Sequence, residues 1–155
     1  MAKTRYAVAL GSNRRGRHGA PADTIRAAAR AIESRSLSRI RLTPALGPAG
    51  RSFANAVAIV ESELDPAELL AILKATERSF GRRSGRRWGP RILDLDIILW
   101  SEGPFESTGL VVPHRAFRER RFVLQPLAEI APAWRDPITG RTARQLLALH
   151  GKARG

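Results

Sequence analysis

Two aspartates two residues apart, Asp94 and Asp96, stand in an otherwise apolar stretch, Ile92-Leu93-Asp94-Leu95-Asp96-Ile97-Ile98-Leu99-Trp100. On a strand, side chains alternate between faces. Both carboxylates then point one way, and Leu93, Leu95, Ile97 and Leu99 point the other. The two Cα atoms stand about 6–7 Å apart. At that separation in apolar surroundings, carboxylates repel each other and lose hydration unless cations neutralise them. A hard divalent ion that also takes phosphate oxygens meets the need, and Mg²⁺ is the usual one. A solvated face with two idle aspartates fits poorly, because the flanking positions on that face are Ile92, Ile98 and Trp100. Immediately upstream, Arg78 to Arg91 holds six arginines and no acid. The planar guanidinium fork matches phosphate oxygens. Metal-assisted chemistry on a phosphate is the chemistry these residues support.

Other constellations are weaker. Gly11-Ser12-Asn13-Arg14-Arg15-Gly16 has the frame of a phosphate loop, but Arg17-His18 follow where that motif needs Lys and Ser or Thr. His18, His114 and His150 are scattered without metal-ligand spacing. Ser12 and Ser52 have no triad context. There is no cysteine, which excludes disulfides, thiolate metal sites and cysteine nucleophiles and fits a cytoplasmic protein. No apolar run approaches the ~20 residues of a membrane span. The net charge is +13, and 24 of the 27 basic residues are arginine. Such a balance points to an anionic partner: nucleic acid, nucleotide or phosphorylated metabolite.

The elements that must hold these residues can be read from periodicity. Tyr6 to Leu10 reads as a strand closed by Gly11-Ser12-Asn13. A helix from about Asp23 places Ile25, Ala28, Ala29 and Ile32 on one face. Ser38–Leu42 and Phe53–Val60 read as strands around a rigid loop with Pro44, Gly47 and Pro48. Asp65, Pro66 and Glu68 mark a helix start. That helix gathers Leu69, Ile72, Leu73, Thr76 and Phe80 and ends at Gly81. Ile92–Trp100 is a strand, and Val111-Val112-Pro113 a short extended piece. Arg120–Ile130 reads as helical but interrupted by Pro126, and Thr142–His150 as a last helix. The order βαββαβ predicts an α+β, ferredoxin-like sandwich: a mixed, mostly antiparallel sheet with helices packed on it, plus a C-terminal helical extension. With 155 residues, the whole of 1–155 is expected to be a single domain, with 151–155 a frayed tail.

Four segments, in order and spacing, resemble the 6-hydroxymethyl-7,8-dihydropterin pyrophosphokinases of folate biosynthesis. They are Ala9-Leu10-Gly11-Ser12-Asn13; Leu42 to Pro48 with Phe53 and Asn55; Gly81-Arg82 and Arg87-Trp88-Gly89-Pro90-Arg91-Ile92-Leu93-Asp94-Leu95-Asp96-Ile97; and Val112-Pro113-His114 through Arg120-Arg121-Phe122-Val123-Leu124. The resemblance covers residues 5 to about 132. It implies transfer of pyrophosphate from ATP to the pterin's hydroxymethyl oxygen, with release of AMP.

By the same resemblance, Asp94 and Asp96 hold two Mg²⁺, and Arg82 and Arg91 hold the triphosphate and stabilise the charge moving within it. Glu77, Ile97, His114 and Arg120 fall on the ATP side, and Trp88 in a loop that closes over both substrates. Asn55 reads the pterin's polar edge, Phe53 and Phe122 sandwich its ring, and Thr43, Pro44 and Leu46 line it. A flat heterocycle wants two π-faces and an edge partner, so the assignment is chemically consistent. Ala45, Ser84 and Arg115 depart from the family pattern, but none is an implied metal ligand or principal arginine. The expectation is a cytoplasmic monomer acting on small molecules, with no nucleic-acid or membrane partner. The rival from another class is a non-catalytic RNA-binding module, since ferredoxin-like sheets also bind RNA. It lacks aromatic-rich strands, and it leaves Asp94 and Asp96, which repel a phosphate backbone, without a role.

Overall fold

The computed structural model describes residues 2–43, 53–81 and 92–154. In chain order its elements are β1 (Thr4–Ser12), α1 (Pro21–Ala31), β2 (Ser36–Leu37), β3 (Arg41–Thr43), β4 (Phe53–Ser62), α2 (Pro66–Gly81) and β5 (Asp94–Trp100). After these come β6 (Phe105–Ser107), β7 (Leu110–Val112), one 3₁₀ turn (Phe117–Glu119), α3 (Arg121–Ile130) and α4 (Ala143–Arg154). The main sheet runs β2–β4–β1–β5, with β3 also on β4. Each described pairing is antiparallel, so the sheet is not mixed. With β2 and β3 as halves of one interrupted strand, this is the ferredoxin-like βαββαβ order.

The interruption falls inside the single strand read at Ser38–Leu42. Leu37 lies opposite Ala58 and Arg41 opposite Asn55, so this strand uses one residue more than its partner, as in a bulge. Ser38 bridges the gap. Its N–H donates to the Val57 carbonyl at 2.9 Å, and its hydroxyl accepts from the Val57 N–H at 3.0 Å. A serine satisfying a backbone amide in this way leaves no trace in hydrophobic periodicity.

One face of the sheet carries α1 and α2. Ala54, Ala56 and Ala58 on β4 are fully or nearly fully buried there with Ala28 and Ala29 of α1. Small residues on both sides let helix and sheet approach closely. The start of α2 is a reciprocal capping box: the Glu68 N–H donates to Asp65 Oδ1 at 2.9 Å, and the Asp65 N–H to Glu68 Oε1 at 3.0 Å. Gly81, at φ 125°, ends the helix in a conformation only glycine adopts freely. Leu69, Leu73 and Phe80 are buried as expected, but Ile72 is 50% exposed. The buried stripe of α2 is turned away from Ile72 and towards Glu77, whose side chain is only 9% exposed.

The strict alternation read along β5 holds only to Ile97. The register steps from Val8 opposite Ile97 to Ala7 opposite Leu99, which leaves Ile98 as a bulge. Leu93, Leu95 and Ile97 therefore join the α1/α2 core, whereas Ile98 and Leu99 both join a second core. Trp100 returns to the first face and stacks on Tyr6, ring centroids 6.0 Å apart. The bulge reverses the expected placement of Leu99 and Trp100 without disturbing the two aspartates before it.

The second core lies on the opposite face, where Phe117, Val123, Leu124, Leu127 and Leu146 cover Ala7, Val57 and Ile59. The C-terminal extension is thus a second helical layer. Pro126 lies inside α3 without breaking it. Its missing N–H deprives only the carbonyl of Phe122, an exposed residue, and that carbonyl can meet water. The segment before α3 contains the hairpin β6–β7, of which only the second strand was expected. Helix α4 runs through Gly151 to Arg154, beyond the end read at His150 and into the expected tail.

Candidate active site

Register gathers several of the candidate residues on the sheet face that carries the second core. Register places Arg41, Asn55, Gly11 and Asp94 in one row across four strands. The next row towards the second core contains Val57, Ala9 and Asp96. Directly opposed residues share a face, so Asn55, Asp94 and Asp96 point to the same side, with Phe53 and Thr43 beyond Asn55. Gly11 separates Asn55 from Asp94 with no side chain of its own. A methyl group there would meet Asn55 Oδ1 at 3.4 Å, so the glycine keeps the floor between amide and carboxylate low. Asn55 is 7% exposed, and Phe53 and Phe122 are 40% and 41% exposed. Phe53, two residues from the buried amide on the same strand, and Phe122 on α3 each expose a large ring of the kind that takes a flat polar ligand.

The Asp96 side of the row is basic. His114 is tied to the edge of β5, its N–H donating to the Ile98 carbonyl at 3.0 Å. Its Nδ1 accepts from the Ala116 N–H at 3.1 Å, so a neutral ring carries its proton on Nε2. Burial pushes the imidazole below its ordinary value. Asp96 pulls it up and Arg120 pushes it down, but burial prevails. Arg120 in turn lies over the Phe122 ring, its guanidinium carbon 5.8 Å from the centroid.

A model of the 7,8-dihydro-6-hydroxymethylpterin-pyrophosphokinase family matches residues 7–132. The chain belongs to this family. It is 42% identical over 151 residues to the 2-amino-4-hydroxy-6-hydroxymethyldihydropteridine pyrophosphokinase of Pseudomonas aeruginosa, covering 93% of this chain and 90% of that protein. With the enzyme of the same name from Synechocystis it shares 45% identity over 103 residues, 66% of this chain. That match spans about half, 53%, of the Synechocystis protein. Among solved structures, an HPPK-DHPS chain in complex with substrates superposes with a TM-score of 0.75 at 11% identity, covering 99% of this chain and 44% of that one. The wild-type Plasmodium falciparum HPPK-DHPS gives 0.73 at 13% identity, covering 96% and 45%. These two likenesses speak for the fold. The family is one of transferases, and nothing supports the RNA-binding alternative.

Other residues implied by the pyrophosphokinase family are differently placed. The Ile97 side chain is 2% exposed and lies in the α1/α2 core, so only its main chain is on offer to a nucleotide. Glu77 is occupied within the protein: Oε2 accepts the Leu95 N–H at 2.7 Å, and Oε1 pairs with Lys74 Nζ at 3.3 Å. Pro44, Leu46, Arg82, Trp88 and Arg91 lie outside the described residues, as do Ala45 and Ser84.

Arg41 was not anticipated. Opposite Asn55 in register, it pairs through Nη2 with Glu129 of α3 at 2.7 Å, while its buried Nη1 has no hydrogen-bond partner among the described residues. Burial raises the Glu129 carboxyl, but the Arg39 N–H and the Arg41 guanidinium outweigh it and hold the group below its ordinary value. The alternation of Arg41 with Thr43 on one strand was the available signal.

Among the described residues, no group of three or more His, Asp or Glu side chains is gathered to hold a metal. Two carboxylates on one face are instead a hard, oxygen-only donor set of the kind Mg²⁺ uses when phosphates and water complete its shell. The residues fit such an ion.

The His114 environment has a pH consequence. Since the folded state resists its protonation, the unfolded chain binds more protons between the folded value and the ordinary 6.5, and stability is lost as pH falls through that window. Between about pH 7.5 and 5, the urea midpoint of the wild type should fall more steeply than that of His114→Gln. Equal slopes would assign the loss to other groups.

Proposed function

We propose that this chain transfers a pyrophosphoryl group from ATP to the hydroxymethyl group of 6-hydroxymethyl-7,8-dihydropterin, giving AMP and the pterin pyrophosphate, in folate biosynthesis. The observation that carries the reading is the single row in which Asp94 and the buried Asn55 flank Gly11, with Asp96 one row below. On this reading, a residue that reads a polar ring edge and carboxylates that hold a phosphate-bound metal share one sheet face. Asn55 offers both a donor and an acceptor to the pterin edge, and Phe53 and Phe122 offer its ring their faces. The pterin's hydroxymethyl oxygen bonds to the β-phosphorus as the bond from that phosphorus to the α-bridging oxygen breaks; AMP departs with the electron pair, and the hydroxyl proton passes to water. Mg²⁺ held by Asp94 and Asp96 would supply positive charge to the triphosphate. His114, whose imidazole feels both Asp96 and Arg120, would donate from Nε2–H to phosphate oxygens together with Arg120, and Arg82 and Arg91 take the matching roles implied by the family. Trp88, with Pro44, Leu46 and Thr43, would enclose the substrates.

Incubation with ATP, Mg²⁺ and the reduced hydroxymethylpterin tests the reaction: AMP is expected, and ADP alone would refute it. Asn55→Ala should weaken pterin binding by about 1–3 kcal/mol, since the ligand's buried polar edge loses its partner. ATP binding measured without pterin should stay unchanged; equal losses for both ligands would make Asn55 structural. We read the working form as a cytoplasmic monomer, which sedimentation at micromolar concentration would test. No helix among the described residues is long and apolar enough to cross a membrane.

A further inference from the structure

We propose that Glu77 is a positioning residue that sets the spacing of Asp94 and Asp96 by holding the peptide between them. Among the described strands, β5 lies at the edge of the sheet, paired with β1. Successive residues of an antiparallel strand direct their amides to opposite edges, and the Leu95 N–H is turned outwards. Glu77 of α2 meets it at 2.7 Å through Oε2, a charge-assisted bond of the stronger kind. The carboxylate is steadied from its other oxygen by Lys74 on the same helix, and the side chain is 9% exposed. Leu95 itself is fully buried and faces Leu10 across the ladder. The one residue separating the two aspartates is therefore gripped through its side chain, its amide and its strand partner.

The consequence follows from strand geometry. Asp94 and Asp96 project from the two peptides joined at Leu95, so a rotation there tilts the two carboxylates relative to one another. An ion with strict octahedral preferences tolerates little of that. Residues that orient ligands from behind typically change metal affinity by about 10–100-fold when lost. The inference rests on the metal–phosphate reading of the aspartates, and it gives Glu77 work other than contact with the nucleotide.

Three substitutions separate the possibilities. Glu77→Gln keeps an acceptor at the same reach without the charge. Glu77→Asp keeps the charge but falls short of Leu95. Glu77→Ala keeps neither. In the protein free of metal and nucleotide, the Leu95 amide should exchange with deuterium at least about ten-fold faster in Glu77→Ala and Glu77→Asp than in the wild type, with Glu77→Gln near the wild type. The Mg²⁺ concentration for half-maximal turnover at saturating ATP should follow the same order. It should rise about ten-fold or more in Glu77→Ala and Glu77→Asp and be restored to within about three-fold by Glu77→Gln, with the KM for pterin unchanged. If Glu77→Ala does not fold, the Asp and Gln pair still decides. A ranking with Asp better than Gln, or a Mg²⁺ requirement unchanged in all three, overturns the proposal. If Asp96→Ala also leaves the Mg²⁺ requirement and turnover intact, the functional reading itself fails; if only the Glu77 variants are neutral, the positioning role alone fails.

Discussion

Asp96→Ala should lower AMP release by about a thousand-fold or more at saturating Mg²⁺, while the protein melts at or slightly above the wild-type temperature. The loss follows from the place of Asp96 on the sheet. It lies opposite Ala9, on the face that carries Asp94 and Asn55, and its field reaches His114. On the proposed reading, deleting one of the two carboxylates removes half of the hard oxygen donors assigned to the divalent ion. Charge stabilisation by such an ion in a transferring phosphoryl group is worth several kcal/mol, which is about three decades or more in rate. The fold should not suffer, because the apolar neighbours Leu95 and Ile97 face the other core and removal relieves repulsion from Asp94. Turnover near the wild-type level would sink the metal assignment. Loss of activity together with loss of cooperative unfolding would mean that Asp96 is structural.

Asp136→Ala should cost about 3 kcal/mol of folding stability, and Asp136 lies outside the candidate site. Its carboxylate is wholly buried and accepts from Arg118 Nε at 2.6 Å, Arg118 Nη2 at 2.8 Å, the Thr139 hydroxyl at 2.7 Å and the Ile138 N–H at 3.0 Å. Burial alone would raise this carboxyl, but these four bonds outweigh it and hold it below its ordinary value. The residue thereby ties the turn before α4 to the 3₁₀ turn that contains Arg118 and Phe117. Truncation of one partner of a buried pair usually costs about 3–5 kcal/mol. Arg118 is 26% exposed and can recover some hydration, so the lower end applies. Urea unfolding at pH 7 measures the effect, and a loss below about 1 kcal/mol would contradict the account. Arg118→Met with Asp136→Ala should lose less than the sum of the two single changes, because neither charge is then stranded. The sign with pH is that of a depressed carboxyl. Its contribution is present above the unfolded value and is lost as pH falls through the lower folded one, so the acid limb of the wild type should flatten in the variant.

Local pattern along the chain by itself determined the βαββαβ order, the capped start of α2 and the common face of Asp94 and Asp96. These are local properties: alternation along one strand, or reciprocal bonds between residues three apart, depend on nothing distant. The row that unites Asn55, Gly11 and Asp94 is a matter of register between three strands far apart in the chain, and no single-segment pattern carries register. The bulge at Ile98 likewise comes from pairing with β1. It sends Leu99 and Trp100 to faces that alternation assigned the other way. Ile72 is exposed and Glu77 buried on α2 because the roll of a helix is set by the surface it lands on, and that surface included the Leu95 N–H at the edge of β5. Tertiary structure also decided that the C-terminal helices cover the second face. Phe117, Val123 and Leu124 pack with Ala7 and Val57 there, a contact between segments far apart in the chain that no local pattern encodes.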